Sequence, residues 1–104
     1  MPTEDEPEGL GVVAGRLQGR LGLTWTEALV LARLRAAGSH WLPLAHLRAV
    51  LPDASERAAR RLVERLRRKL GLESVLGLHD SSFTLGAPGV RACRKALGDA
   101  GEAC

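Results

Sequence analysis

The chain has 104 residues, 45% of them apolar and 26% charged, with Trp25, Trp41 and Phe83 as its aromatic side chains. That is material for one small domain around a single core, too little for an enzyme enclosing a large organic pocket and too apolar for a disordered chain. The formal charge is only +3, yet all 15 basic residues, nearly all arginine, lie between Gly9 and Gly98 with just six acids, and this excess of nine positive charges favours a polyanionic partner: DNA, RNA or an acidic protein.

Residues 1–8, MPTEDEPE, read as a disordered acidic tail. They lack the basic start and apolar middle of a signal peptide. No apolar run approaches the roughly 18 residues of a membrane span. Cys93 and Cys104 are too few for a disulfide framework, and Cys93 reads as a small packing residue. The expectation is a cytoplasmic protein without membrane contact, with a folded domain over 9–98 and a flexible C-terminal tail over 99–104.

Residues 9–23 leave two readings open. Leu10, Val13, Leu17 and Leu21 recur at three- or four-residue spacing, as in a helix. The interspersed glycines weaken that helix, and two short strands at 12–14 and 17–21 fit nearly as well. From Thr24 the signal is cleaner. Thr24 and Glu27 have capping-box spacing, and Gly38 suits a left-handed C-cap, which predicts a helix over 25–37. Residues 39–42 form a connector, with Trp41 and Leu42 offering a strand of one or two residues and Trp41 expected in the core. Pro43 suits the first turn of a short helix over 43–51, which Pro52 stops.

The strongest feature is SERAARRLVERLRRKLG, capped by Asp53 or Ser55 and ended by Gly71. It predicts the longest helix, over 55–70. Ala59, Leu62, Val63, Leu66 and Leu70 share one sector, and Arg57, Arg61, Glu64 and Arg68 lie opposite. Runs at 75–79 and 83–85, around Asp80, Ser81 and Ser82, predict a β-hairpin. Pro88 and Gly89 mark a boundary, and a last helix is expected over 90–97.

Three helices followed by a hairpin predict a mainly α fold with a small β-hairpin, a winged helix-turn-helix. The first two helices would support the third, leaving its arginine side free for the DNA major groove. Arg57, Arg60, Arg61 and Glu64 are the base-contacting candidates, since arginine forks to guanine and glutamate accepts from cytosine. Thr24, Arg48, Arg65, Arg67, Arg68 and Lys69 are the phosphate-contacting candidates. Against this stands a solvated helix face laced by pairs such as Arg60–Glu64 and Glu64–Arg68.

The residues carry a resemblance as well. Leu23-Thr24-x-x-Glu27, Leu44-x-x-Leu47, Leu66-Arg67-Arg68-Lys69-Leu70-Gly71, Val75-x-x-Leu78 and Phe83-Thr84-Leu85 occur in order and at few gaps. Over about residues 16–86 the chain resembles the OmpR/PhoB-type winged-helix effector domain of response regulators. The resemblance implies double-stranded DNA binding, with base reading from the N-terminal two-thirds of the 55–70 helix. The departures are equally specific. His79-Asp80-Ser81-Ser82 stands where that family's wing has Arg-Gly-x-Gly, and the acid would repel phosphate. The chain has no room for a receiver domain, and the family's N-terminal four-stranded sheet is absent or cut to two strands.

His40, His46 and His79 match no zinc spacing, and no nucleophile triad, phosphate loop or paired acid appears. Neither a metal nor a cofactor is expected, and binding rather than enzymatic turnover. The leading expectation is a small stand-alone transcription regulator that binds DNA sequence-specifically, with self-association as a homodimer to gain specificity. The alternative is a winged-helix protein-interaction module that modulates a protein of the transcription machinery without reading DNA.

Overall fold

The computed structural model describes residues 9–52, 55–79 and 81–98. The two tails expected over 1–8 and 99–104, and the cap candidate Asp53, lie outside the described residues.

Residues 10–21 form a helix, α1 (Leu10–Leu21), which settles the choice left open by the sequence. Its apolar side is buried against the second helix and the last one, with Ala14 and Leu17 wholly inside. That burial outweighs the cost of about 1 kcal/mol for each interior glycine. Helix α2 (Trp25–Ala37) has the predicted bounds because the predicted capping box forms. The Glu27 N–H donates to Thr24 Oγ1 at 3.2 Å, and the Thr24 N–H donates to Glu27 Oε1 at 3.0 Å. Thr24→Ala should lower the unfolding free energy by about 1 kcal/mol, seen as a lower urea midpoint at unchanged slope. Gly38 ends α2 at φ 66°, ψ −129°, a region open to glycine but not the left-handed cap expected. Ala28, Val30, Leu31, Ala32 and Leu34 are buried around most of its circumference, so α2 is the central helix.

The connector gives strand β1 (Leu42–Pro43). Strand alternation turns Leu42 inward, and Trp41 outward with Pro43. Trp41 is therefore 44% exposed and not the core residue expected. Helix α3 (Leu44–Ala49) is shorter than the predicted 43–51. Pro43 is its N-cap, and Pro52 acts at a distance: it disfavours helical Leu51, so the last turn tightens into i→i+3 bonds at Val50 and Leu51. Helix α4 (Glu56–Leu70) is capped by Ser55, whose Oγ accepts from the Ala58 N–H at 3.1 Å.

The hairpin is β2 (Val75–Leu78) and β3 (Ser82–Leu85). β1 adds to it, giving an open antiparallel sheet in the order β1-β3-β2, with Leu42 opposite Phe83 and Gly77 opposite Phe83 on the other side. Helix α5 (Ala87–Leu97) begins three residues earlier than predicted. Pro88 lies in its first turn, where no helical partner for the N–H is needed, so proline starts the helix here and does not bound it. Gly86 and Gly89 bring this start against the loop before β2: a Cβ at Gly86 would strike the Glu73 carbonyl, and one at Gly89 the Ser74 carbonyl. Gly89→Ala should cost about 2 kcal/mol of stability by forcing α5 off the sheet, measured by thermal and urea unfolding. α2, α3 and α4 with the following hairpin have a winged-helix-type arrangement, and α1 and α5 complete the mainly α domain.

Candidate nucleic-acid interface

Helix α4 turns Ala59, Leu62, Val63 and Leu66 into the core. The opposite side carries Arg57, Arg61, Arg65 and Arg68, spaced four, four and three residues apart and all exposed. Spacing of this kind makes one row of four guanidinium groups along the helix. Among the described residues, none of the four has an acid within ion-pair distance.

Two acids, Glu56 and Glu64, share this outward surface, but both are already held by other arginines. Arg60 pairs with Glu56 at 2.9 Å, and Glu64 accepts from Arg67 at 2.7 Å. The i,i+4 pairs Arg60–Glu64 and Glu64–Arg68 weighed from the sequence are thus replaced by Glu56–Arg60 and Glu64–Arg67. Of the four base-contacting candidates, Arg57 and Arg61 stand in the unpaired row, while Arg60 and Glu64 are held in ion pairs. Of the phosphate-contacting candidates, Arg65 and Arg68 stand in the row.

Arg67 has a second bond. Its Nε donates to the Val75 carbonyl at 2.8 Å, and its guanidinium lies against Gly77 beside the Phe83 ring. Arg67 therefore fixes the hairpin to the C-terminal half of α4. Gly77 leaves the room for this contact.

Lys69 reaches across to α2. Its Nζ donates to Glu27 Oε1 at 2.8 Å and to the Gly22 carbonyl at 3.3 Å. Glu27 is 1% exposed, so Lys69 neutralises a buried carboxylate. Burial pushes the Glu27 carboxyl up, but the Lys69 hydrogen bond, the Thr24 N–H and the charges of Lys69 and Arg65 together hold it below its ordinary value. Glu27 thus serves two elements: it closes the α2 capping box and locks α2 to α4. Sequence spacing gave its capping role. The partner 42 residues later had no local signal.

Thr24 is occupied as the cap of α2, exposed at the edge of a shallow depression that Arg65, Arg68 and Lys69 share. A second groove of about 260 Å³ runs between the start of α2 and α4, floored by Leu51, Pro52, Ala58 and Leu62 and rimmed by Arg61 and Arg65. Arg48 is exposed in the last turn of α3 and lines neither depression. The helix-turn-helix half of the domain thus presents an arginine row flanked by two grooves.

The hairpin has the opposite character. From Val75 to Leu85 there is no lysine or arginine, and Leu76 and Leu78 are exposed. His79 begins the turn at φ 53°. Asp80 lies outside the described residues. Among the described residues no group of three or more His, Cys, Asp or Glu side chains could hold a metal, and no helix is long and apolar enough to cross a membrane. Cys93 is buried and packed in the core, as its sequence context suggests.

No family model, curated protein sequence or solved structure matches the chain, so the winged-helix-type description stands on this geometry and the likeness to OmpR/PhoB-type domains on the short motifs alone.

Proposed function

We propose that this domain binds double-stranded DNA sequence-specifically as a small transcription regulator, with α4 in the major groove. The observation that supports it is the row Arg57, Arg61, Arg65 and Arg68, exposed and without acidic partners among the described residues, on a helix whose other side is wholly committed to the core. A solvated surface helix commonly neutralises its own arginines, as the Glu56–Arg60 pair does here. The row is left to meet an external anion. Arg57 and Arg61 at the N-terminal half read base edges, and Arg65 and Arg68 hold phosphates. The motif order shared with OmpR/PhoB-type effector domains supports the same assignment. One module makes few base contacts, so two copies on repeated half-sites supply the specificity. The reading carries no catalytic step and no cofactor, and its setting is the cytoplasm.

Binding of a fluorescent random-sequence duplex tests the electrostatic part. Affinity should fall by about 0.9 log unit per phosphate contact for each tenfold rise in salt, which for this row gives a slope between about −2 and −4. A salt-independent affinity, or none, would overturn the proposal.

A second reading rests on the hairpin. A wing without basic residues and with Leu76 and Leu78 exposed suits a protein surface better than phosphate. Under that reading the domain docks on a transcription-machinery protein through the wing. Leu76→Ser with Leu78→Ser would then abolish partner binding and leave duplex affinity unchanged.

A further inference from the structure

The positive charge outside α4 is also concentrated. Arg16 and Arg20 on α1 and Arg91, Arg94 and Lys95 on α5 are all exposed, and neither helix contains an acid. The two helices pack on one another. Arg20 Nη1 donates to the Ala96 carbonyl at 3.2 Å, so its guanidinium crosses from α1 to the last turn of α5 and joins the two sets of cations. All described acids are elsewhere: Glu27 on α2, Glu56 and Glu64 on α4, and Glu73 in the loop before β2. A face that serves only solubility mixes the two signs. This one does not.

The second cationic face looks away from the first. Central α2 packs between α1 and α4, and α4 turns its buried side toward α2, α3 and α5. Its arginine row therefore points away from α1 and α5. A straight duplex lying along α4 is therefore expected to lie clear of Arg16, Arg91 and Lys95.

We propose that the α1–α5 face binds the phosphate backbone of a second duplex, so that the domain bridges two DNA segments. One is read by α4, and for that segment the proposal rests on the function assigned above. The other is held by charge alone, without sequence preference, because the second face spreads its cations over two adjoining helices and does not line them along one.

Two-duplex capture tests this with the full chain. One duplex is fixed to beads and protein is bound to it. A fluorescent duplex of unrelated sequence is then added at near-physiological salt. The intact protein should retain the fluorescent duplex. Arg16→Gln with Arg91→Gln and Lys95→Gln should reduce that retention at least tenfold and lower its salt slope by about 3, with single-duplex affinity within a few-fold of the parent. Circular dichroism and sedimentation verify that the triple variant keeps its fold and its oligomeric state, which separates lost charge from lost self-association. Retention by the triple variant equal to the parent would overturn the proposal, because two copies each using α4 would then explain the bridge. A parent that binds the first duplex and never recruits the second would overturn it too, leaving the α4 assignment intact. A parent that binds no duplex at all would instead overturn the α4 assignment.

Discussion

Arg57→Ala combined with Arg61→Ala should weaken binding to the preferred duplex by about 4 kcal/mol, close to a thousandfold, and flatten the preference for that sequence. Both side chains are exposed on the outward face of α4, and among the described residues neither is held by an acid. Their removal therefore costs the domain nothing in its own ion pairs, and unfolding curves should stay within about 0.5 kcal/mol of the parent. Arg68→Ala should act differently. It should weaken all sequences alike and lower the salt slope by about 1. Arg67→Ala belongs to neither class. It removes the bonds to Val75 and Glu64, so its main effect should be a loosened hairpin. Fluorescence anisotropy across a panel of duplexes and salt concentrations distinguishes the three.

Lys69→Met should destabilise the fold by about 3 kcal/mol at neutral pH. Glu27 would remain buried and ionised with the Thr24 N–H as its remaining hydrogen-bond donor, and losing one partner of a buried ion pair costs about 3–5 kcal/mol when both are enclosed. Lys69 is 39% exposed, which places the effect at the lower end. The pH dependence gives the mechanism. In the parent the Glu27 carboxyl is held below its ordinary value of 4.5, so its contribution is complete above that pH and is lost as the pH falls further. In the variant burial acts without Lys69 and pushes the carboxyl up. The variant is then relieved by protonation before the parent is hurt, and the stability gap between them should narrow steadily on acidification. Urea unfolding from neutral pH to about pH 4 reads this directly, and a gap independent of pH would show that Lys69 acts through packing alone. Glu27→Gln in the Lys69→Met background should recover part of the loss, since a neutral amide tolerates the site better than a lone carboxylate.

Elements with local signals were legible in the sequence. Thr24 with Glu27 marks the start of α2, Asp53 or Ser55 and Gly71 frame α4, and the alternation of Leu62, Val63 and Leu66 with arginines separates core from surface. The hairpin was placed within a residue by Val75 and Phe83. The ends of α3 and α5 differ because of local proline effects, at Pro52 and Pro88, and elsewhere tertiary packing decided where local signals conflicted or were silent. In α1 the glycines and the leucine spacing point opposite ways, and the burial of Ala14 and Leu17 settles it. Trp41, not interleaved with basic residues, is expected in the core, yet the pairing of Leu42 with Phe83 fixes which neighbour faces in. Arg57, Arg61 and Arg68 of the α4 row were legible on the outward face, but Arg65 in it and the pairing around it were not. Which arginines stay open depends on Arg67 finding Val75 and on Lys69 finding Glu27, contacts between distant segments.

Selection of duplexes from a random DNA pool by the full chain at near-physiological salt tests the central claim most directly. The α4 assignment predicts enrichment of a short motif containing guanines opposite Arg57 and Arg61, repeated or palindromic where two copies bind, and loss of that motif in the Arg57→Ala, Arg61→Ala protein. A folded sample that retains no duplex, or the same motif recovered by both proteins, would contradict it.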